Sequence, residues 1–292
     1  MRSFHHSRFP AELLAAGREA TVSVCLPARN EARTIIPILQ QLLPLRELGV
    51  VDQVVVLDHS EDGTGACARA LGAEVYDQEE LLCAYGPILG KGDALWRSLE
   101  VLHGEVICFL DADSGQFGAH YACGLLGPLL SEPGFSFVKG FYRRPFRLGS
   151  VTLPEGGGRV TELTARPLLK EFYPELAAVR QPLAGEVAAR RELLEQLPFL
   201  TGYGVDIALL LDAYALVGLQ GLAQVDLDVR QNAHQPLRDL EPMAGAVLQA
   251  VTSRLRRERR LARSRSSEPD AEIVERPPMA ELHSVAWKLV SS

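Results

Sequence analysis

The chain has no apolar stretch approaching the roughly 20 uncharged residues that a membrane span requires, so no membrane segment is expected. Its opening, Met1-Arg2-Ser3-Phe4-His5-His6, lacks the apolar core of a secretory signal, and the expected compartment is the cytoplasm. Cysteine is scarce and unpaired. Cys25, Cys67, Cys83, Cys108 and Cys123 are odd in number, and none sits in a CxxC pair. That argues against a disulfide framework and against a clustered zinc site. Buried, reduced thiols are expected instead. Positive charge is also in deficit. A formal net charge of −7 argues against nucleic acid as the main partner. An acidic protein that binds anions has to concentrate positive charge locally, or use metal ions and backbone N–H groups.

What is present is apolar and regular. The 292 residues, 47% hydrophobic, suffice for one large α/β domain, or for a nucleotide-binding domain with an appended acceptor region. The first half alternates short apolar runs with helical patterns. Strands are expected at 21–27, 51–58, 73–76 and 105–110. Helices are expected at 32–43, where Pro44 closes the run, and at 63–71 and 91–102. Strands separated by helices of this length imply βαβ units and a mostly parallel sheet. Ligands of such sheets bind beyond the carboxyl ends of the strands. Three polar clusters stand at strand ends: Pro27-Ala28-Arg29-Asn30-Glu31, Asp58-His59-Ser60-Glu61-Asp62-Gly63-Thr64 and Asp111-Ala112-Asp113-Ser114.

The second half is less regular. A strand is expected at 135–142, ending in Arg143-Arg144, and another at 222–229. Helical patterns cover 162–176, 190–196, 206–217 and 236–263. Residues 264–278 read as a loose polar surface segment. Three regions follow: 1–135 as a nucleotide-sugar-binding half, 136–240 as an acceptor-binding and catalytic half, and 241–292 as a helical extension with a loose tail.

Asp111-Ala112-Asp113 is the centre of the functional reading. Two carboxylates two residues apart project the same way from an extended backbone and can share a hard divalent cation. Such a cation neutralises a nucleotide donor's diphosphate as it leaves. Two acids in a turn are ordinarily just solvated; the strand end before them, Val106 to Leu110, is what favours a site. Gly90-Lys91-Gly92 opens a helix and offers close backbone approach plus a point charge for phosphate. It lacks the Walker A spacing, and alone it equally describes a glycine turn with a solvated lysine. Gly156-Gly157-Gly158-Arg159-Val160-Thr161 combines backbone N–H groups, a guanidinium and a hydroxyl, either an anion nest or a loop with an N-capping threonine. His234 follows a strand, where a solvated histidine is the plain reading and a further metal ligand the functional one.

Together the strand ends and Gly90-Lys91-Gly92 resemble the nucleotide-sugar half of GT-A glycosyltransferases. Gly158-Arg159-Val160-Thr161-Glu162-Leu163, Ala165-Arg166-Pro167-Leu168-Leu169, Pro182-Leu183-Ala184-Gly185-Glu186 and Gly202-Tyr203-Gly204-Val205-Asp206 narrow this. They resemble the glucosyl-3-phosphoglycerate synthases and their mannosyl-3-phosphoglycerate relatives over about residues 20–240. The resemblance implies a GT-A-type, Rossmann-like sheet flanked by helices, with a C-terminal acceptor and dimerisation region. It implies a Mg2+- or Mn2+-dependent retaining transfer from a nucleoside-diphosphate sugar (GDP-mannose, GDP-glucose or UDP-glucose) to the C2 hydroxyl of 3-phosphoglycerate. The product is a compatible-solute precursor, and the enzyme a homodimer. By motif position, Pro27, Ala28, Arg29, Glu31, Ser60, Lys91, Asp111 and Ala112 would hold the donor. Asp113 and His234 would bind the metal. Gly158, Arg159, Val160 and Thr161, with Lys139, would hold the acceptor phosphate. Leu183, through its carbonyl, and Asp206 would stand with Asp113 at the reacting centre.

Two departures lean towards a mannosyl or mixed-specificity enzyme. Asp206 stands where the glucosyl pattern has glutamate, and Arg230-Gln231-Asn232-Ala233-His234-Gln235 differs from the more basic glucosyl stretch. Retention by double displacement needs a carboxylate beneath the anomeric carbon; no residue presents itself from sequence, which favours same-face attack. A sugar-1-phosphate nucleotidyltransferase would want a glycine-rich loop after the first strand, which Pro27 to Glu31 lacks. A transferase with another small acceptor and a non-catalytic sugar-nucleotide-binding protein are the remaining alternatives.

Overall fold

The computed structural model describes residues 1–148, 151–153, 157–230, 236–262 and 274–282, with backbone alone for 146–148 and 151–153. Its centre is a sheet of eight strands: β1 (Arg2–His5), β2 (Val22–Ala28), β3 (Gln53–Asp58), β4 (Glu74–Asp77), β5 (Val106–Phe109), β6 (Phe137–Arg143), β7 (Val187–Arg190) and β8 (Leu222–Val229). They lie in the order β1-β8-β6-β7-β5-β2-β3-β4. All pairings are parallel except those of β7, which is antiparallel to both β5 and β6. The expected mostly parallel α/β sheet is therefore present, and both halves of the chain contribute strands to it.

The buried runs explain the arrangement. Val22, Val24, Leu26, Val54, Val56, Val106 and Cys108 face one apolar layer, under the helices Ala32–Glu47 and His120–Ser131. Cys25, Val55, Leu57, Ile107 and Phe109 face the other, under the helices Lys91–Ser98 and Val205–Val217. Strands buried on both faces read as continuous valine and isoleucine, as parallel strands do. Among the described residues, no helix is long and apolar enough to cross a membrane.

Several boundaries differ from those read in sequence. Pro44 does not close its helix, which runs through Pro37 and Pro44 to Glu47. Each proline removes one N–H donor, but Ile35, Ile38, Leu39, Leu42 and Leu45 are buried along one side and hold the last turn down. The helix opening at Lys91 ends at Ser98 rather than at residue 102. Residues 161–165 form a π-helical turn before the α-helix Arg166–Phe172. The helix expected over 190–196 is a single turn, Arg191–Leu194, after β7. Strands β1 and β7 were not anticipated; Val187-Ala188-Ala189-Arg190 is alanine-rich and has weak strand propensity. Residues 274–278, read as loose surface, are anchored: Glu275–Arg276 pairs antiparallel with Phe199–Leu200. All five cysteines are free, but Cys83 is exposed and Cys67 half-buried, so only Cys25, Cys108 and Cys123 are the expected core thiols.

Candidate active site

Seven parallel strands deliver their carboxyl ends to one sheet edge, and a cavity of about 550 Å3 opens there. The strand order lays out its two sides. The ends of β2, β3 and β4 bring Pro27, Ala28, Arg29, Glu31, His59 and Gln78 to one side. The end of β5 places Asp111, Ala112 and Asp113 in the middle. The end of β6 brings Arg144, to which the loop Gly157–Thr161 is tied by the Gly157 N–H donating to the Arg144 carbonyl at 3.2 Å.

The turn after β2 needs a left-handed residue, and Asn30 supplies it at φ 60°. Asparagine tolerates that region because its short side chain bonds locally. Here its Oδ1 accepts from the Glu61 N–H at 3.0 Å, and its own N–H donates to Ser60 Oγ at 2.8 Å. Ser60, expected among the donor contacts, thus lies outside the cavity lining and clasps the turn that presents Arg29 and Glu31.

Lys91 starts its helix just under the β5 end. Its Nζ donates to Asp111 Oδ1 at 2.8 Å and lies 3.3 Å from Asp206 Oδ2. Burial disfavours the ammonium, but the two carboxylates outweigh it and push its pKa above the usual lysine range. Burial alone would likewise raise Asp111; Lys91 and Arg230 instead hold it well below the usual carboxylate range. Asp206, at the start of the helix Val205–Val217, is raised by burial despite Lys91 and Lys139. Gly185 sits against this pair: a Cβ there would fall 2.3 Å from both Asp111 Oδ1 and Lys91 Nζ. The antiparallel β7 accounts for the placement. Val187 pairs with Phe109, so the residues before β7 run back to the edge where β5 ends.

On the β6 side, Gly157, Gly158, Arg159, Val160 and Thr161 line the cavity together with Arg144 and Leu183. Gly158 has φ +76°, and its carbonyl accepts from the Glu162 N–H at 3.0 Å as the helical turn begins. Lys139, assigned to the acceptor, does not line the cavity. It is 2% exposed, with Nζ donating to the Ala184 carbonyl at 2.7 Å. Burial pulls its pKa down to about 8. His234 lies outside the described residues.

Arg230 was missed as a site residue. It is 1% exposed and donates through Nη2 to Asp113 Oδ1 at 2.7 Å, with Nη1 3.3 Å from Asp111 Oδ2. The same Nη1 meets Glu186 Oε1 and, at 3.1 Å, the Tyr142 hydroxyl. Tyr142 donates to Glu186 Oε2 at 3.0 Å and accepts from Arg144 Nη2 at 2.7 Å. Asp111 and Asp113 lie more than a hundred residues from Arg230, so no local pattern announced the cluster. The carboxylates suit a hard divalent cation. They already gather a cation between them in the guanidinium, and the Asp113 side chain is 56% exposed towards solvent.

Residues 23–115 match the family model described as glycosyl transferase family 2. The glucosyl-3-phosphoglycerate synthase of Mycolicibacterium smegmatis is 47% identical over 84% of this chain and 80% of its own length. The crystal structure of mannosyl-3-phosphoglycerate synthase from Rubrobacter xylanophilus superposes with a TM-score of 0.88 at 45% identity, covering 96% of this chain and 97% of that one. The Mycobacterium tuberculosis glucosyl-3-phosphoglycerate synthase, in complex with Mn2+, UDP-glucose and phosphoglyceric acid, superposes at 0.81 with 39% identity over 97% and 99% of the two chains. With the strand-end carboxylates and the loop Gly157–Thr161 sharing one cavity, these similarities place the chain in the glucosyl-3-phosphoglycerate synthase family of glycosyltransferases.

Proposed function

We propose that the chain transfers a hexose from a nucleoside-diphosphate sugar to the 2-hydroxyl of 3-phosphoglycerate, with retention and with Mg2+ or Mn2+ held at Asp113. The observation that carries this reading is the division of one cavity into two sides about Asp111 and Asp113. The β2–β3 side offers Arg29 and Glu31 to a nucleoside; the β6 side offers Arg144, Arg159 and the N–H groups of Gly158 to Thr161 to a phosphate. The cation, when bound, supplies charge neutralisation for the departing diphosphate. The protein supplies the rest as positioning and electrostatics. Lys91 fixes Asp111 and Asp206 together, so Asp206 faces the cavity as a restrained contact for sugar or acceptor. Lys139 holds the Ala184 carbonyl and so steadies the turn bearing Leu183 beside the reacting centre.

Homodimerisation belongs to the same reading. Leu163, Leu237 and Leu248 are 72%, 70% and 47% exposed, on the turn 161–165 and on the helix Leu237–Arg257 that packs against it. These three leucines, on two elements packed together, are what supports a second copy of the chain there. The test of function is a donor-by-acceptor matrix: UDP-glucose, GDP-glucose and GDP-mannose against 3-phosphoglycerate and other phosphorylated acids, with Mn2+, read by product mass. A hexosyl-phosphoglycerate is expected. Donor hydrolysis without glycosylated acceptor, or no product from any pair, overturns the reading.

A further inference from the structure

Arg230 is the cation that Asp111 and Asp113 already hold. Its guanidinium reaches both, with its closest acid contacts at Asp113 Oδ1 and Glu186 Oε1, and it is sealed from water. A buried guanidinium stays charged, so these acids meet a fixed positive charge before any ligand arrives. Arg144 stands one residue further out through the shared Tyr142 hydroxyl.

Among the described residues, four carboxylates line the cavity, at Glu31, Asp111, Asp113 and Asp206, against four cationic side chains, at Arg29, Lys91, Arg144 and Arg159. Arg230, Glu186 and Lys139 are buried beneath, Lys139 with its Nζ 3.3 Å from the Asp206 carbonyl. A divalent cation alone adds two positive charges to this site, and the diphosphate of a sugar nucleotide alone adds two negative ones. Together they leave its charge unchanged, and the low dielectric of a partly closed site makes that difference matter.

We propose that Arg230 is an internal counter-cation that competes with the divalent metal for Asp113, and thereby makes tight metal binding conditional on the donor diphosphate. This rests on the reading of Asp113 as a metal ligand. When metal and diphosphate enter together, Nη2 gives up Asp113 and turns to the diphosphate, while Nη1 keeps Glu186 and Tyr142. The bond to Glu186 holds the guanidinium beneath Asp113 once Nη2 is released. The coupling is reciprocal: whatever factor the nucleotide adds to metal affinity, the metal adds to nucleotide affinity.

The experiment reads bound Mn2+ directly, by the loss of the free-ion electron paramagnetic resonance signal, with and without UDP and without turnover. Wild-type protein, Arg230→Gln, Arg230→Lys and Asp113→Asn are titrated, each after a thermal melt has verified folding. The wild type is expected to bind Mn2+ at least tenfold more tightly with UDP than without. Arg230→Gln, which removes the charge but keeps an amide donor for Glu186, should bind Mn2+ alone at least tenfold more tightly than the wild type, and its UDP dependence should shrink by the same factor. Arg230→Lys should fall between, because one ammonium cannot bridge several acids in the planar fork of a guanidinium. A folded Arg230→Gln that binds Mn2+ alone no more tightly than wild type overturns the proposal. So does a wild type indifferent to UDP, which settles the matter even if Arg230→Gln does not fold. Loss of Mn2+ in Asp113→Asn without any gain in Arg230→Gln sinks this inference and leaves the metal assignment standing. Mn2+ binding unchanged in Asp113→Asn removes both.

Discussion

Arg276 and Asp93, far apart in sequence, form a buried two-pronged ion pair, with Nε 2.7 Å from Oδ1 and Nη2 2.9 Å from Oδ2. Asp93 belongs to the helix that Lys91 opens, and its Oδ2 also accepts the Leu89 N–H at 2.9 Å. Trp96 of the same helix donates to the Pro277 carbonyl at 2.8 Å. The C-terminal segment is thus a strap on the helix that carries Lys91. Arg276→Ala leaves a buried carboxylate short of its best partner. The expected loss is about 3 kcal/mol, the lower end for breaking a buried pair, because Arg97 stays within 3.3 Å of Asp93. Urea unfolding measures it, and a loss below about 1 kcal/mol would show the strap to be loosely held.

Asp113→Ala should abolish transfer and leave the melting temperature nearly unchanged, since the side chain is exposed. Excess EDTA should do the same to the unmodified protein. Full activity in EDTA contradicts a metal at Asp113.

Arg159→Ala should weaken 3-phosphoglycerate by roughly tenfold to more than a hundredfold, from about 1.5–3 kcal/mol per charge-assisted hydrogen bond. Donor KM should barely move, because Arg159 lines the side of the cavity away from the β2 and β3 ends. Arg159→Lys should recover only part, lacking the planar fork. Steady-state kinetics with each substrate varied separately decides; an unchanged acceptor KM and kcat/KM moves the phosphate site to Arg144.

Lys139 carries a pH signature. Its folded pKa, about 8, lies below the unfolded value, so between the two the unfolded chain binds more protons. Stability should therefore rise with pH from about 8 towards the usual lysine pKa, and the cost of burying the ammonium is present in full below 8. Lys139→Met should flatten that rise. Denaturation midpoints across this interval test it, and an equal slope in wild type and variant rules Lys139 out as its source.

Gly185→Ala should fold but lose catalytic efficiency for the donor. The added methyl would occupy the space of the Asp111–Lys91 pair, and both side chains have to shift. A kcat/KM for the donor within twofold of wild type would show that the pair is not needed in place.

The α/β class was legible in the residues alone, because runs such as Val54 to Leu57, buried on both faces, are what a parallel sheet requires. It also located the strand-end polar clusters, since each follows directly from the apolar run that ends there. The loop Gly157–Thr161, which lines the cavity, was legible through glycines beside Arg159 and Thr161. Where distant residues meet was settled by the packing of the strands. Val187 to Arg190 has no strand signature of its own and pairs because two strong neighbours offer unfilled hydrogen bonds on either side. Its antiparallel direction then sets Gly185 and Glu186 beside Asp111. Ser60 and Lys139 read as ligand contacts by position; the structure sets both outside the cavity lining, bonded to the backbone of Asn30 and Ala184. Arg230 is the clearest case: its neighbours in sequence give no hint of Asp111, Asp113 and Glu186, and only the ordering of β8, β6, β7 and β5 along one sheet brings four charges into one contact.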